Sequence, residues 1–218
     1  MPSLLLLIIV ITCGISIYGF QNQAFFEKYK FNVGAVQHRK EYIRLLSAGF
    51  LHGDFMHLFF NMFTLYFFGP IVLQVFGAVG FLIVYFGSIL LGNLFSLYIY
   101  KHQGYYSAIG ASGGVSGILF AAIAAFPHLG IGIMFIPLPI PGYIFGALYF
   151  AYSVYMMLNP KQWDNLGHAA HLGGAAFGLL YAIIFHLDLV IENAQYLGIM
   201  SLPLVYLAYH IFSKKKIG

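Results

Sequence analysis

Three apolar stretches of the sequence each begin with polar side chains that could carry out acyl transfer. One begins at Ser112, one holds His168 and His171, and one holds His57 and Asn61. A serine hydroxyl becomes a nucleophile only when a base accepts its proton, and a neutral histidine suits that role near neutral pH. Ser112 and His171 are therefore the candidate nucleophile and general base.

Acyl transfer also requires hydrogen-bond donors for the oxyanion of its tetrahedral intermediate. Asn61 follows His57 by one helical turn, so the two side chains share a helix face. With the backbone N–H of Ser112 and the positive N-terminal end of its helix, they could form an oxyanion hole.

A carboxylate that could complete a catalytic triad is missing from the candidate helices. Every acidic residue lies in a loop or at the edge of an apolar stretch: Glu27, Glu41, Asp54, Asp164, Asp188 and Glu192. We therefore expect a Ser–His dyad. Asp164 could reach His168 one turn away, and we interpret that pair as capping of a helix start.

The composition indicates that the elements carrying these residues lie in a membrane. Of 218 residues, 61% are hydrophobic and 7% are charged, against about 25% charged in average soluble domains. A soluble monomer and a disordered chain are both excluded. The single cysteine, Cys13, excludes a disulfide framework and a multi-cysteine metal site. The excess of basic residues, part of it in the tail at 214–216, is typical of membrane-surface contact and gives no indication of nucleic-acid binding.

The apolar runs predict an all-α membrane protein, a polytopic bundle that forms one domain over residues 1–218. Six core transmembrane helices are followed by one extra C-terminal helix at 196–212, and residues 55–187 hold the catalytic helices. Residues 21–54, which mix charged and aromatic side chains, are predicted to form a long loop at the headgroup level. The predicted spans are 4–20, 55–76, 81–100, 112–127, 143–158, 168–187 and 196–212, with a glycine- and proline-rich break at 128–142.

The second, fourth and sixth spans run in the same direction, so their polar starts open on one membrane face. Gly113 and Gly117 are four residues apart on the fourth span, and Gly174 and Gly178 lie on the His171 face of the sixth. Small residues at this spacing let helix backbones approach closely. Such an approach would allow a serine–histidine hydrogen bond of about 2.6–3.2 Å.

These motifs resemble the rhomboid family of intramembrane serine proteases. The segment Gly110-Ala111-Ser112-Gly113 is similar to the family's GxSG motif, and the segment from His57 to Asn61 is similar to its HxxxN motif. The segment from Glu41 to Arg44 resembles its ExWR element, and His171 to Gly174 opens a later span. The likeness covers about residues 41–178, with the motifs in family order.

The resemblance implies that Ser112 is the nucleophile and His171 the base, with an oxyanion hole formed by His57, Asn61 and the Ser112 amide. It also implies that the substrates are transmembrane segments of other proteins in the lipid bilayer, cut near one membrane face. No metal and no organic cofactor are expected, and the helix order resembles the bacterial six-plus-one layout. Many members carry an aromatic residue four positions after the serine, stacked on the histidine. Here that position is Ser116, so another residue must support the ring.

Other residues near the motifs have supporting interpretations. Glu41 and Arg44 are expected to hold the first loop together, and His52 to stabilise the loop before the second span. His168 is interpreted as a supporting or substrate-contacting residue near the mouth of the site. A metal pair of His168 and His171 is the alternative, but the sequence has no HExxH motif.

Two other function classes are compatible with a polytopic bundle. The first is an inactive rhomboid-like protein that binds transmembrane helices without cutting them, and the presence of both Ser112 and His171 favours an enzyme instead. The second is a small-molecule transporter, which would show repeat symmetry and ionisable groups at the midplane. The sequence shows no repeat and no acidic residue at the midplane of a span.

The resemblance implies a multi-pass protein of the cell's inner membrane whose active site faces away from the cytoplasm. The basic residues outside the spans fall on the active-site side of the predicted topology. Because basic loops are usually cytoplasmic, they favour the opposite orientation. We retain the family's orientation as the expectation.

Overall fold

The computed structural model describes residues 2–132 and 138–213, and most of these residues are helical. The all-α bundle that the sequence predicts is confirmed. Two short antiparallel ribbons join its loops, one pairing residues 31–32 with 107–108 and the other pairing residues 130–131 with 140–141. In chain order the elements are α1 (Ser3–Gln21), α2 (Gln23–Tyr29), β1 (Phe31–Asn32), α3 (Val33–Arg39), α4 (Arg44–Ser47), a 3-10 turn (Ala48–Phe50), α5 (Phe55–Ile99), β2 (Ser107–Ala108), α6 (Ser112–Ala125), β3 (Gly130–Ile131), β4 (Ile140–Pro141), α7 (Gly142–Leu158), α8 (His168–Phe185), α9 (Leu187–Glu192) and α10 (Ala194–Phe212).

Within the described ranges, α1, α5 and α8 are long and apolar enough to cross a membrane. Helices α6 and α7 are apolar but shorter, with 14 and 17 residues. A bilayer core of about 30 Å needs about 20 residues of straight helix. The 45 residues of α5 are therefore enough for two crossings.

Helix α5 is divided at a single glycine. Gly77 has φ 72° and ψ 177°, a backbone conformation that glycine adopts without steric cost. The chain folds back at Gly77, which brings Gly69 and Phe81, twelve residues apart, close together: a β-carbon on Gly69 would lie 3.5 Å from the ring of Phe81. The sequence predicts a four-residue turn at 77–80, whereas the structure makes the reversal at one residue and keeps its neighbours helical.

Glycines bring α5, α6 and α8 into backbone contact at the centre of the bundle. A β-carbon on Gly174 would collide with the carbonyl of Gly113, and one on Gly178 would collide with the carbonyl of Gly117. A β-carbon on Gly92 of α5 would lie 2.5 Å from the carbonyl of Ala170. The small-residue faces thus allow three helices to pack at a distance that any side chain would prevent.

The segment 21–54 differs from the loop that its composition predicts. It folds into α2, β1, α3, α4 and the 3-10 turn. The side chains of Asn22 and Asn32 accept hydrogen bonds from the backbone N–H groups of Phe25 and Ala35 and so cap α2 and α3. Strand β1 pairs with β2, which ties this segment to the loop that leads into α6.

The remaining boundaries shift by a few residues. Helix α6 ends at Ala125 and α8 at Phe185, both two residues before the predicted ends, and α10 begins at Ala194. Part of the proline-rich break, residues 133–137, and the lysines of the C-terminal tail lie outside the described residues. Helix α10 packs on α7, where Met200 covers Gly146.

Candidate active site

The hydroxyl of Ser112 and the ring of His171 meet where α6 and α8 begin. Ser112 Oγ lies 2.7 Å from His171 Nε2, across a sequence separation of 59 residues. Both residues are half-buried. A serine hydroxyl that donates to Nε2 requires a lone pair on that nitrogen, so the bond corresponds to a neutral ring protonated at Nδ1. This is the arrangement of an alcohol next to a base able to accept its proton.

Gly110 makes room for a second histidine beside the Ser112 hydroxyl. Its φ is 113°, which is a left-handed conformation. A β-carbon at this position would lie 2.7 Å from both Cε1 and Nε2 of His57 and 3.5 Å from Ser112 Oγ. Any residue other than glycine would therefore separate the His57 ring from the serine.

The His57 ring is held by its own loop with Nε2 directed at the site. Its Nδ1 accepts a long hydrogen bond of 3.5 Å from the N–H of Gly53, so Nε2 carries the proton. Asp54 caps α5 by accepting a hydrogen bond of 2.8 Å from the N–H of His57. No sequence motif assigns Asp54 a role, although its place directly before an apolar run is an N-cap signal.

Asn61 lies one turn further along α5 and is almost fully buried. Its Nδ2 donates a hydrogen bond of 2.9 Å to the carbonyl of His57. This contact uses one of the two amide hydrogens and leaves the second for another acceptor.

An aromatic ring approaches His171 from α7. The ring of Tyr149 is inclined by 28° to the imidazole of His171, with centroids 6.4 Å apart. The Tyr149 hydroxyl lies 2.8 Å from Ser116 Oγ. The position expected to lack a ring thus anchors one that another helix supplies. Tyr149 could not be predicted from the sequence, because nothing local marks it among 17 tyrosines.

The carboxylate of Asp164 pairs with His168. Asp164 Oδ2 lies 2.7 Å from His168 Nε2, and both side chains are about 95% buried. The other carboxylate oxygen accepts a hydrogen bond from the N–H of Leu166. The His168 and His171 rings are 6.3 Å apart. Within residues 2–132 and 138–213, no carboxylate hydrogen-bonds to the His171 ring.

Glu41 and Arg44 organise the segment that precedes α5. Glu41 accepts hydrogen bonds from Arg39, at 2.6 Å, and from the buried Arg44. The Arg44 guanidinium also donates to the backbone carbonyls of Glu27 and Lys30. The hydrogen bonds that Arg39 and Arg44 donate to Glu41 lower the pKa of its carboxyl group to about 2. Arg44 therefore ties together parts of the chain up to 17 residues apart.

Comparison with known proteins finds a family match over the part of the chain that holds the candidate site residues. The family model described as Rhomboid domain matches residues 39–188. Rhomboid protein 1, mitochondrial, of Saccharomyces cerevisiae is 33% identical over 147 residues, which are 64% of this chain and 40% of that protein. The human presenilin-associated rhomboid-like protein, mitochondrial, is 30% identical over 154 residues, 69% of this chain and 40% of that protein. The chain thus spans about two fifths of the length of these relatives.

Proposed function

The chain belongs to the rhomboid family of membrane proteins, and from this membership we propose that it is an intramembrane serine endopeptidase. Its substrates would be the transmembrane segments of other proteins, cut in or near the membrane. The observation that carries the proposal is the contact of 2.7 Å between Ser112 Oγ and His171 Nε2. The six-plus-one layout stays a prediction, as does the role of residues 55–187 as the catalytic helices.

In the proposed acylation step, His171 Nε2 accepts the proton of the Ser112 hydroxyl while Oγ attacks the scissile carbonyl carbon. The C–N bond then breaks, and the imidazolium of His171 gives the same proton to the leaving amine. The acyl group remains on Ser112 as an ester. Water then attacks the ester, His171 accepts its proton, and the return of this proton to Oγ releases the acid product.

The negative oxygen of both tetrahedral intermediates would bind at the start of α6. The donors are the Nε2–H of His57, the second amide hydrogen of Asn61 and the backbone N–H of Ser112. The Ser112 N–H lies in the first turn of its helix, whose amides have no partner within the helix. The helix dipole adds positive potential at the same end.

Labelling with a fluorophosphonate, which reacts with activated serines, tests the nucleophile directly. The purified protein in detergent should be labelled and should cleave a model transmembrane substrate, and Ser112→Ala should abolish both. Ser96→Ala is the matched control, because the Ser96 hydroxyl is also buried in a membrane helix but donates to a carbonyl of its own helix, that of Gly92, and not to a histidine. Equal labelling of wild type and Ser112→Ala would reject Ser112 as the nucleophile.

The same experiment separates the protease from an inactive binding protein. A binder would retain transmembrane segments without releasing products and without being labelled. Retention with neither labelling nor cleavage in the wild type would therefore favour the binder.

We also propose that the site faces away from the cytoplasm. The two relatives above are named as mitochondrial, a location that describes those proteins. For this chain, Lys40→Cys in a Cys13→Ala background introduces one exposed thiol into the segment 21–54. A membrane-impermeant maleimide added to whole cells expressing the protein in a bacterial inner membrane should label it. Labelling only after the cells are opened would show that the segment 21–54 lies on the cytoplasmic side, which is the opposite orientation.

A further inference from the structure

His52 lies just before α5 and is fully buried, with both ring nitrogens in hydrogen bonds. The backbone N–H of Ala111 donates to His52 Nε2 at 3.2 Å. His52 Nδ1 lies 2.8 Å from Ser16 Oγ of α1, and Ser16 Oγ in turn donates to the carbonyl of Phe50 at 2.8 Å. One histidine thus connects α1, the 3-10 turn and the residue that precedes Ser112.

The directions of these hydrogen bonds follow from the chemistry of the groups. A backbone N–H can only donate, so His52 Nε2 must carry a lone pair and Nδ1 must carry the proton. The Nδ1–H then donates to Ser16 Oγ, and the Ser16 hydroxyl hydrogen goes to the Phe50 carbonyl. Burial and the neighbouring ring of His57 lower the pKa of His52 to about 3, which agrees with a neutral ring at pH 7.

A second contact holds the same turn from the same side. The N–H of Gly110 donates to the carbonyl of Ala48 at 3.0 Å. The two amides directly before Ser112 are therefore both bound to the segment 48–52. Because the N–H of Ala111 is used by His52, it is not a donor for the proposed oxyanion.

We propose that His52 is a positioning residue for Ser112, a role that rests on the proteolytic function proposed above. By accepting the Ala111 N–H, the ring fixes the turn that aims Ser112 Oγ at His171. Through Ser16, this support extends to α1, which lies outside residues 39–188 of the family model. His52 also packs edge-on against His57, with ring centroids 4.9 Å apart.

Two substitutions separate the two hydrogen bonds of the ring. Glutamine places an acceptor oxygen near the position of Nε2, so His52→Gln can retain the bond from Ala111. Asparagine places an N–H donor near the position of Nδ1, so His52→Asn can retain the bond to Ser16 but has no atom that reaches Ala111. A positioning role predicts that these variants differ in activity, although both lose the ring.

The first measurement is the rate of fluorophosphonate labelling, together with kcat and KM for a transmembrane substrate. We expect His52→Gln to stay within about threefold of wild type. We expect His52→Asn to lower the labelling rate and kcat by about 10- to 100-fold with little change in KM, because small displacements of a nucleophile are costly. Ser16→Ala, which removes only the outer link, should lie between the two.

The second measurement does not depend on activity. In a Ser112→Ala background, amide hydrogen exchange at residues 110–113 should be faster in His52→Asn than in His52→Gln. Equal exchange in the two variants, or equal loss of labelling in both, would overturn the positioning role. Failure of the wild type to be labelled would instead count against the proposed protease, while hydrogen exchange would still decide the role of His52.

Discussion

The ring of Tyr149 faces the imidazole of His171, the proposed base. The hydroxyl of Tyr149 bonds to Ser116, so the tyrosine is fixed at its far end while its ring faces the imidazole. A ring at this distance and inclination restricts how far the imidazole can rotate from Ser112. The effects of the ring and the hydroxyl can be separated by substitution.

We predict that Tyr149→Leu lowers kcat by at least about 10-fold and that Tyr149→Phe lowers it by only a few-fold, because phenylalanine keeps the ring. Ser116→Ala should match Tyr149→Phe, and the double variant should be no slower than either single one, since both remove the same hydrogen bond. Steady-state kinetics on a transmembrane substrate measure this. Strictly additive effects of the two substitutions would contradict a shared role.

For Asn61 we predict that Asn61→Ala lowers kcat by about 10²-fold, since it removes one oxyanion donor. Thr64→Ala is a close control. Its hydroxyl also bonds to the carbonyl four residues earlier in α5, that of Phe60, but it belongs to the next turn. Turnover of Asn61→Ala equal to that of Thr64→Ala would remove Asn61 from the proposed hole.

The residues that could be predicted from sequence are those marked by motif and spacing. Ser112, His171, His57 and Asn61 each stand at the start of an apolar run, and the structure brings Ser112 and His171 together and places the His57 ring beside them. Tyr149 and the partners of His52 could not be found this way. Their contacts join different helices, and neither tyrosine nor serine in an apolar run signals which neighbour it will meet.

At the scale of the elements, close backbone approach of α6 and α8 decides whether the dyad can form. A β-carbon on Gly174 would meet the backbone of Gly113, which cannot move aside as a flexible side chain could. We predict that Gly174→Ala destabilises the protein by about 1–3 kcal/mol and slows labelling of Ser112. Gly198→Ala is the control, because within the described residues a β-carbon there would have no atom of another helix within 4 Å.

Thermal unfolding in detergent measures the first effect, and fluorophosphonate labelling measures the second. An unchanged melting temperature in Gly174→Ala would show that the two helices can separate without cost. We expect Gly198→Ala to be neutral or slightly stabilising, since alanine favours a helix more than glycine does.

The helices themselves follow closely from the apolar runs, because in lipid every backbone group must bond within the segment. The exceptions have local causes. The reversal at Gly77 needs only one residue with positive φ, so no polar turn appears in the sequence. The helices of the segment 21–54 are short and rich in aromatic residues, and the asparagine caps at their starts were the signals that composition concealed.

At the scale of the whole molecule, we predict that stability falls in acid below about pH 6.5. His52 is neutral when folded, with a pKa of about 3, whereas in the unfolded chain its pKa is near 6.5. Between these values the unfolded state binds more protons, so stability rises with pH, by at most about 1.4 kcal/mol per pH unit. Glu41, with its pKa lowered to about 2, adds a loss of stability below about pH 4.5.

The test compares melting temperatures at pH 7 and pH 5 in wild type, His52→Gln and His38→Gln. The loss on acidification should be smaller in His52→Gln, which cannot take up the proton. The exposed His38 is the control, and its substitution should leave the loss unchanged. Equal losses in all three proteins would show that His52 does not couple protonation to unfolding.

The origin of the Tyr149 ring in α7, rather than in the helix that carries the serine, has a consequence for turnover. Any sideways displacement of α7 that opened an entry path for a substrate helix would also withdraw the Tyr149 ring from the imidazole of His171. Substrate entry and bond cleavage would then alternate, because the His171 ring would be least constrained while the entry path is open. This coupling would hinder premature cleavage of the first transmembrane segment that enters.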